Sequence, residues 1–258
     1  MKVAFVTFAD GSNDLKAAAR RIGEQADETG WFDLIRTYST DDLRKVDWKW
    51  YIRNKNFIQN NKRGFGYWVW KPKVIYEELL RLTDGDVLVY ADAGYEISKF
   101  GGRRFAEYVS LAKLKGILTF SLGYEIGAWT KGDTLARFGV CADSEDCRLS
   151  QSHAGLIVIS RSQITMQFFY AFDQICNEDD HRYINDALSV IRNCRNFIEH
   201  RHDQAVFSLL LSRLDVGWPI PVEDYTPELW RDGVYNARLP FHAIRNRTGV
   251  RMIPTDLI

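Results

Sequence analysis

The feature that most restricts the fold of this chain is a near-continuous apolar run, Val87–Ala91, inside the segment Gly85–Ile97 (GDVLVYADAGYEI). Such a run is typical of a strand buried on both faces, as in a parallel sheet covered by helices. Asp92 follows the run directly, and ligands of open α/β sheets collect outside the carboxyl ends of the strands. Asp92 is therefore placed to hold a cation or a sugar hydroxyl. A solvated turn, with Gly94 at positive φ, is an equal alternative from this segment alone.

The order of elements along the chain predicts an α/β fold. Apolar strands are predicted at about residues 2–8, 32–38, 117–121 and 156–160, and helices at 14–25, 41–60, 72–80, 103–115, 163–176, 184–194 and 204–214. The strand–helix–strand order at the start favours parallel pairing. Five of the six prolines lie in the last 40 residues, which predicts an extended, irregular C-terminal tail.

Composition excludes several classes of protein. Lys and Arg number 34 and Asp and Glu number 34, so the formal charges cancel, which argues against a protein that coats nucleic acid. The longest stretch without a formal charge has 12 residues, between Arg148 and Arg161, and a membrane span needs about 20. The N-terminus lacks the pattern of a signal peptide. We expect a cytoplasmic protein, with contact to a membrane surface left open.

The cysteines and histidines do not form a recognisable zinc pattern. Cys141 and Cys147 flank an acidic loop and could pair, but four sparse cysteines favour free thiols in a reducing compartment. His200 and His202 lack a third and a fourth ligand at a familiar spacing.

Three segments together resemble the GT-A class of nucleotide-sugar glycosyltransferases. Gly85–Ile97 resembles the region in which an apolar strand runs into an Asp-x-Asp motif, as in the glycogenin and bacterial lipopolysaccharide galactosyltransferase type. Ser152–Ser160 (SHAGLIVIS) resembles the Asn-Ala-Gly strand of that class, and His202–Leu211 (HDQAVFSLLL) resembles its Asp-Gln helix start. Each motif is weak alone, but the three occur in the order of the family. The resemblance implies a GT-A-like (Rossmann-like) mixed, mostly parallel sheet flanked by helices.

The resemblance assigns the donor and its metal to the first segment. Asp92 matches the first Asp of the motif, which contacts the ribose and a Mn or Mg ion, and Ala93 and Gly94 complete the donor-binding turn. Gly94 stands where the family has its second Asp, a principal metal ligand. Glu96 is a candidate to complete the site, and His242 matches the late histidine that many of these enzymes recruit to the metal. A surface position for His242 is an equal alternative.

The other two segments supply the candidate catalytic residues. His153 stands where the family has Asn, and Gly155 lets the backbone approach the substrate closely. Asp203 and Gln204 match the Asp-Gln pair beside the reacting sugar. Inversion at the anomeric carbon would need a base, for which Asp203 and His153 are candidates. The resemblance is closer to retaining enzymes, so we favour retention.

The remaining candidates bind the nucleotide and the sugar. Thr7, Phe8 and Ala9 end the first strand and are expected to hold the base. The segment Arg63–Ile75 (RGFGYWVWKPKVI) also looks like a stretch of some bacterial polysaccharide-assembly glycosyltransferases. Its cations suit a diphosphate and its indoles suit a sugar face, or the indoles anchor the loop to the core. The residues concerned are Arg63, Lys71, Trp68 and Trp70, joined by Arg245 from the tail.

Taken together, the sequence predicts one domain, 1–258, with a nucleotide-binding half (1–98), an acceptor and sugar half (99–240) and a basic tail (241–258). The predicted reaction moves a hexose from a nucleotide diphosphate sugar, with UDP favoured, to a saccharide or glycolipid acceptor during glycan or polysaccharide assembly. Two alternatives stay open: a scaffold of this class that binds sugar or nucleotide without catalysis, and a phosphoryl-transfer enzyme that uses Asp92.

Overall fold

A computed structural model describes residues 1–223 and 236–253. Its centre is a seven-stranded sheet in the order β2-β1-β3-β7-β5-β6, with β8 paired to β5. The strands are β1 (Val3–Phe8), β2 (Leu34–Tyr38), β3 (Val87–Ala91), β5 (Ile117–Glu125), β6 (Ser150–Ser152), β7 (Leu156–Ser160) and β8 (Trp218–Pro221). A separate two-stranded ribbon joins β4 (Glu96–Ile97) to β9 (Phe241–His242).

The directions of the strands agree with the predicted fold class. β1 is parallel to β2 and β3, and β8 is parallel to β5, whereas β7 is antiparallel to both β3 and β5. β6 is antiparallel to β5. Five strands of this sheet (β1, β2, β3, β5 and β8) therefore run one way and two run the other. The prediction of a mixed, mostly parallel sheet flanked by helices is confirmed.

Helices cover both faces of the sheet. They are α1 (Asn13–Thr29), α2 (Thr40–Val46), α3 (Trp48–Asn60), α4 (Gly64–Tyr67), α5 (Trp70–Leu80), α6 (Gly102–Lys115), α7 (Gly132–Arg137), α8 (Gln163–Asn177) and α9 (His202–Leu214). Leu88 and Tyr90 of β3 pack with α5, α8 and α9, while Val87 and Val89 pack with α1 and α6. The alternation explains why the whole strand is apolar. In the described ranges, no helix has the length and apolar character needed to cross a membrane.

The element α4 is a left-handed turn. Gly64, Phe65, Gly66, Tyr67 and Trp68 have φ values of 57°, 55°, 84°, 50° and 59°. Three of these five residues are not glycine, and a left-handed conformation costs each of them about 1–2 kcal/mol. A Cβ on Gly66 would lie 2.8 Å from Cγ1 of Ile58, so this position also lacks room for a side chain.

The predicted helix at 184–194 is wrong. This stretch belongs to a segment, residues 182–201, that contains no helix or strand. Its backbone polar groups are bound by two buried side chains: the Lys131 ammonium donates to the carbonyls of Asn185 and Ala187, and the Asp133 carboxylate accepts from the amides of Val190 and Ile191. These partners replace helical hydrogen bonds, and Leu188 is left 95% exposed.

The C-terminal tail is irregular over residues 243–253, as predicted, while 254–258 and 224–235 lie outside the described residues. Two short pieces of the proline-rich region nevertheless pair as strands, β8 and β9. Pro219 and Pro221 fit β8 because it is an edge strand, where a missing amide is tolerated.

Buried charges fasten this tail to the turn after β3. The guanidinium of Arg21 donates to the carbonyl oxygens of Ala93, Tyr95 and Thr248 at 2.9, 2.7 and 3.0 Å. Arg21 also lies 3.6 Å from the Glu96 carboxylate, and both side chains are almost completely buried. Glu96 in turn accepts hydrogen bonds from Gln25, Asn246, Met252 and Ile253. The Arg21–Glu96 pair thus joins α1, the turn after β3 and the tail.

We predict that Arg21→Met destabilises the chain by about 3–5 kcal/mol, because it leaves Glu96 as a buried charge without its cation. Urea unfolding measures this change. The matched control is Arg20→Met, one residue away and exposed, for which a change within about 0.5 kcal/mol is expected. If Arg21→Met unfolds like the control, the pair does not fasten the tail.

Candidate active site

The candidate site lies where β3 ends and β7 begins. Because these strands are antiparallel neighbours, the residues after Ala91 and before Leu156 lie at the same edge of the sheet. The amide of Asp92 donates to the carbonyl of Gly155 at 2.8 Å, which joins the first two motif segments. The starts of α5 and α9 reach the same place through Lys71 and Asp203. The three segments that resemble one family therefore come together.

The side chain of Lys71 is the centre of the cluster. Its ammonium lies 2.8 Å from Oδ2 of Asp203, 3.4 Å from Oδ1 of Asp92 and 3.1 Å from the carbonyl oxygen of Ala154. Lys71 is only 3% exposed. Burial alone would lower the pKa of Lys71, but the two carboxylates raise it above its ordinary value, so the ammonium stays charged. Lys71, which the sequence predicted to contact the donor phosphates, is thus a buried ion beside Asp92 and does not lie in the open cleft.

The carboxylate of Asp92 is partly exposed and is held in place through Oδ1. Its Oδ1 accepts a hydrogen bond of 2.5 Å from the hydroxyl of Tyr90 and faces Lys71. About a third of its side chain, 36%, is exposed. A Cβ on Gly155 would lie 3.0 Å from Oδ2 of Asp92 and 2.3 Å from Cε1 of His153. His153 and Asp92 thus leave no room for a side chain at Gly155, and its close approach to a substrate stays a prediction.

His153 is fixed in one tautomer. Its Nδ1 accepts a hydrogen bond from the amide of Gly155 at 3.0 Å and lies 3.2 Å from the hydroxyl of Tyr95. A backbone amide can only donate, so the ring proton is on Nε2. Burial and the positive charges of Lys71 and Arg245 lower the pKa of His153 to about 3. At neutral pH this ring is uncharged and carries its proton on Nε2.

Asp203 and Gln204 open α9 on the other side of Lys71. Burial raises the pKa of Asp203 to about 6, although the Lys71 charge opposes this shift. Asp203 therefore binds a proton more readily than a solvent-exposed carboxyl does. Gln204 is half-buried and donates from Nε2 to Oε1 of Gln151 at 2.7 Å.

The predicted base-binding residues divide into a core pair and a cleft residue. Thr7 is buried, and the ring of Phe8 stacks on Trp70 with centroids 3.9 Å apart. Ala9 instead lines an open cavity of about 390 Å³ at the ends of β1 and β2, whose other lining residues are Asn13, Lys16, Ala19, Arg20, Thr37, Tyr38 and Ser39. Ala9 also packs with Ala93, so the cavity adjoins the turn that carries Asp92.

The two predicted sugar-stacking indoles have different environments. Trp70 is 5% exposed and its Nε1 donates to the carbonyl of Gly64, which favours the core role that the sequence left open. Trp68 is half-buried and stacks on His202, which precedes Asp203. Arg63 lies at the surface, with ion pairs to Asp186 and Glu199.

The tail packs beside Gly94. A Cβ there would lie 3.4 Å from Cα of Arg245, an ordinary contact distance, and the carbonyl of Gly94 accepts from the amide of Asn246. The tail is thus a neighbour of the position where the family has its second Asp. The guanidinium of Arg245 is exposed beside this turn.

Of the residues predicted to bind a metal ion, Asp92 remains the candidate in the structure. The carboxylate of Glu96 is turned to Arg21 and the tail, and the buried His242 ring has its Nε2 at 3.0 Å from the carbonyl of Leu239. In residues 1–223 and 236–253, no three His, Cys, Asp or Glu side chains form a group that could hold a metal ion. Among the three predicted ligands Asp92, Glu96 and His242, Asp92 alone has a partly exposed side chain.

Sequence reasoning missed three residues that shape the site. Tyr90 and Tyr95 hydrogen-bond to Asp92 and His153, and Arg21 holds the turn between them. The signal for Arg21 was a charged residue on the apolar face of α1, beside Ala18 and Ile22. The two tyrosines gave no signal, because tyrosine is common in buried strands and turns.

We predict that Lys71→Met destabilises the chain by about 3–5 kcal/mol at pH 7, since it leaves two neighbouring carboxylates without a counter-ion. Urea unfolding of Lys71→Met and of the double variant with Asp203→Asn measures it, and the double variant is expected to recover part of the loss. Lys45→Met, at an exposed position, serves as the control. A loss below 1 kcal/mol for Lys71→Met would contradict the account.

We also predict a pH effect from Asp203. Between about pH 4 and 6 the folded chain holds a proton on Asp203 that the unfolded chain, with an ordinary pKa of 3.8, has released. The unfolding free energy therefore falls as pH rises through this window, by on the order of 2–3 kcal/mol. Asp203→Asn should remove that part of the slope in urea unfolding between pH 4 and 6.5. An unchanged slope would show that Asp203 titrates normally.

No protein-family model matches this sequence, and no curated protein matches it. Among solved structures, mouse xyloside xylosyltransferase 1 in its apo form is similar over 90% of this chain and 89% of that chain, with 9% identity and a TM-score of 0.46. A glycosyltransferase involved in the glycosylation of the major capsid of PBCV-1 is similar over 78% of this chain and 81% of that chain, with 8% identity and a TM-score of 0.40. With such low identities and TM-scores, these two similarities assign no function to this chain.

Proposed function

We propose that this chain is a glycosyltransferase that moves a hexose from a nucleotide diphosphate sugar to a hydroxyl group of an acceptor. One observation carries the proposal: the three segments that resemble GT-A enzymes meet around the Lys71 ammonium, at the carboxyl end of β3. Segments that matched by chance would have no reason to share one cluster of buried charges.

The nucleoside of the donor fits the cavity beside Ala9. This cavity lies at the carboxyl ends of β1 and β2, where α/β sheets bind nucleotides. Lys16 and Arg20 give its wall a positive charge, and the packing of Ala9 on Ala93 places the cavity next to Asp92. A uridine bound there would direct its diphosphate towards the turn after β3.

The diphosphate would lie between Asp92 and Arg245. Arg245 is exposed and its backbone packs on Gly94, so its guanidinium would be within reach of a diphosphate that departs beside this turn. Asp92 fits a Mn or Mg ion, because such ions are commonly held by one or two carboxylates together with substrate phosphates. A bound ion would add Lewis-acid stabilisation of the leaving group.

In the transfer, the bond from the anomeric carbon to the diphosphate oxygen breaks and a bond to the acceptor oxygen forms, while the acceptor hydroxyl gives its proton to the departing diphosphate oxygen. Neither candidate base suits inversion: His153 carries its proton on Nε2, and Asp203 is buried against Lys71. This supports retention, in which Asp203 and Gln204 steady the positive charge that develops on the sugar.

The acceptor would bind on the side of Gln204. Gln204 bonds to Gln151, whose Nε2 reaches the carbonyl of Trp129. The rings of Trp129 and Tyr124 lie 5.7 Å apart, and Tyr124 is half exposed. Such aromatic faces suit a saccharide, so we assign them, rather than the buried Trp70, to acceptor binding.

A thermal-shift screen with UDP-, GDP-, CMP- and dTDP-sugars, with Mn and with EDTA, tests the donor. A UDP-sugar with Mn is expected to raise the melting temperature most, because a ligand stabilises the folded state that binds it. Transfer or hydrolysis of the best donor then tests the reaction. Binding of UDP without turnover on any acceptor would favour the non-catalytic scaffold, and release of phosphate from a phosphomonoester would favour phosphoryl transfer.

We predict that Asp92→Asn lowers the rate of sugar transfer by about 10²–10³-fold, because the amide cannot hold a cation at the diphosphate. The melting temperature should stay within a few degrees of that of the parent chain, since the amide oxygen of Asn can still accept from Tyr90 and Lys71, and Asp203 still balances the Lys71 charge. Asp41→Asn, at an exposed position on α2, is the matched control and should keep full activity. Full activity of Asp92→Asn would overturn the proposal.

A further inference from the structure

Two of the four cysteines lie against each other. Cys147 and Cys194 are far apart in the sequence, yet their Sγ atoms are 3.0 Å apart, and both residues are 4% exposed. A disulfide has an S–S distance of about 2.05 Å, so the two sulfur atoms are about 1 Å from bonding distance. The alternative pairing suggested by the sequence places Cys147 with Cys141, but Cys141 is exposed and offers Cys147 only its backbone carbonyl.

The two sulfur atoms lie in a closely packed apolar environment. They belong to a small apolar cluster with Ile126, Leu135 and Leu209. Gly127 packs directly on the pair: a Cβ there would lie 2.8 Å from Cβ of Cys147 and 2.9 Å from Sγ of Cys194. The glycine is therefore needed for the two cysteines to meet.

We propose that Cys147 and Cys194 are a covalent modification site, at which an intramolecular disulfide forms by exchange with a small-molecule disulfide such as glutathione disulfide. The bond would join the turn before β6, which carries Cys147, to segment 182–201. That segment is already held by polar contacts, since the amide of Ile198 donates to the carbonyl of Ala128 and that of Arg201 to Trp129. A disulfide would add a covalent link shortly before His202 and Asp203.

The exchange balances as two thiol–disulfide steps. The thiolate of Cys147 attacks one sulfur of the small disulfide, and the first small thiol leaves with the proton that Cys147 lost. Cys194 then attacks Sγ of Cys147, gives up its proton, and releases the second small thiol. Two protein thiols are oxidised, and one small disulfide is reduced to two thiols.

In the closed structure neither thiol is accessible, and burial raises the pKa of the Cys194 thiol to about 11, so the thiolate does not form there at neutral pH. The two steps balance in the same way when Cys194 makes the first attack. Since both sulfur atoms are buried, the exchange proceeds while segment 182–201 is locally open or while the chain folds.

The test is a thiol count on the full chain. Protein incubated with glutathione and glutathione disulfide is quenched in acid, denatured and titrated with Ellman's reagent, beside a sample reduced with dithiothreitol. We expect two free thiols in the oxidised sample and four in the reduced one, with a cross-linked peptide that contains Cys147 and Cys194. The melting temperature of the oxidised form should be about 5–15 °C higher, because the bond closes a long loop.

Single variants complete the test, and none depends on the proposed enzyme activity. Cys147→Ser and Cys194→Ser should each show three thiols in both samples and no effect of oxidant on melting. Cys176→Ser, at a buried cysteine that contributes nothing to this cluster, should keep the disulfide and show one thiol when oxidised. Four free thiols in the oxidised parent chain, or a cross-link that contains Cys141, would overturn the proposal.

Discussion

The buried ammonium of Lys71 is the interaction on which the candidate site depends. A lysine has three protons to donate, and here three acceptors lie around it, one from each of three separate segments: Asp92 after β3, Ala154 before β7 and Asp203 at the start of α9. An ammonium this deep in a protein is stable only with its counter-ions. Because the charges must balance, the contacts of Lys71 also fix the positions of the three segments relative to one another. They orient the carboxylate of Asp92 as well.

A second buried pair, Arg21 and Glu96, holds the same turn from the opposite side. Lys71 acts on the side chain of Asp92, whereas Arg21 binds the backbone carbonyls of Ala93 and Tyr95. The tail closes over this turn, and the carbonyl of Gly94 accepts a hydrogen bond from the amide of Asn246. The turn after β3 is thus held by contacts from α1, from α5 and from the tail.

The sequence was most informative where one physical requirement dominated. The apolar run Val87–Ala91 predicted a strand with both faces covered, which the structure confirms, while the ligand site at the edge where this strand ends stays a prediction. Local pattern failed where distant partners decided the structure. The stretch 184–194 has helical spacing, but Lys131 and Asp133 bind its backbone. Trp70 was one of two indoles predicted to stack on a sugar, but the ring of Phe8, from β1, stacks on it instead. Such long-range contacts leave no periodic trace in the sequence.

The fastening of the Asp92 turn by the tail has a consequence for synthesis of the chain. A ribosome completes β3 early, and domains begin to fold from their N-terminal part during synthesis. The partners of Arg21 and Glu96 include Asn246, Thr248 and Met252, which emerge some 150 residues later. A nascent or truncated chain can build much of the sheet while its candidate donor site lacks one wall. The candidate site therefore takes its final geometry only after residues 246–252 have been synthesised and have packed on this turn.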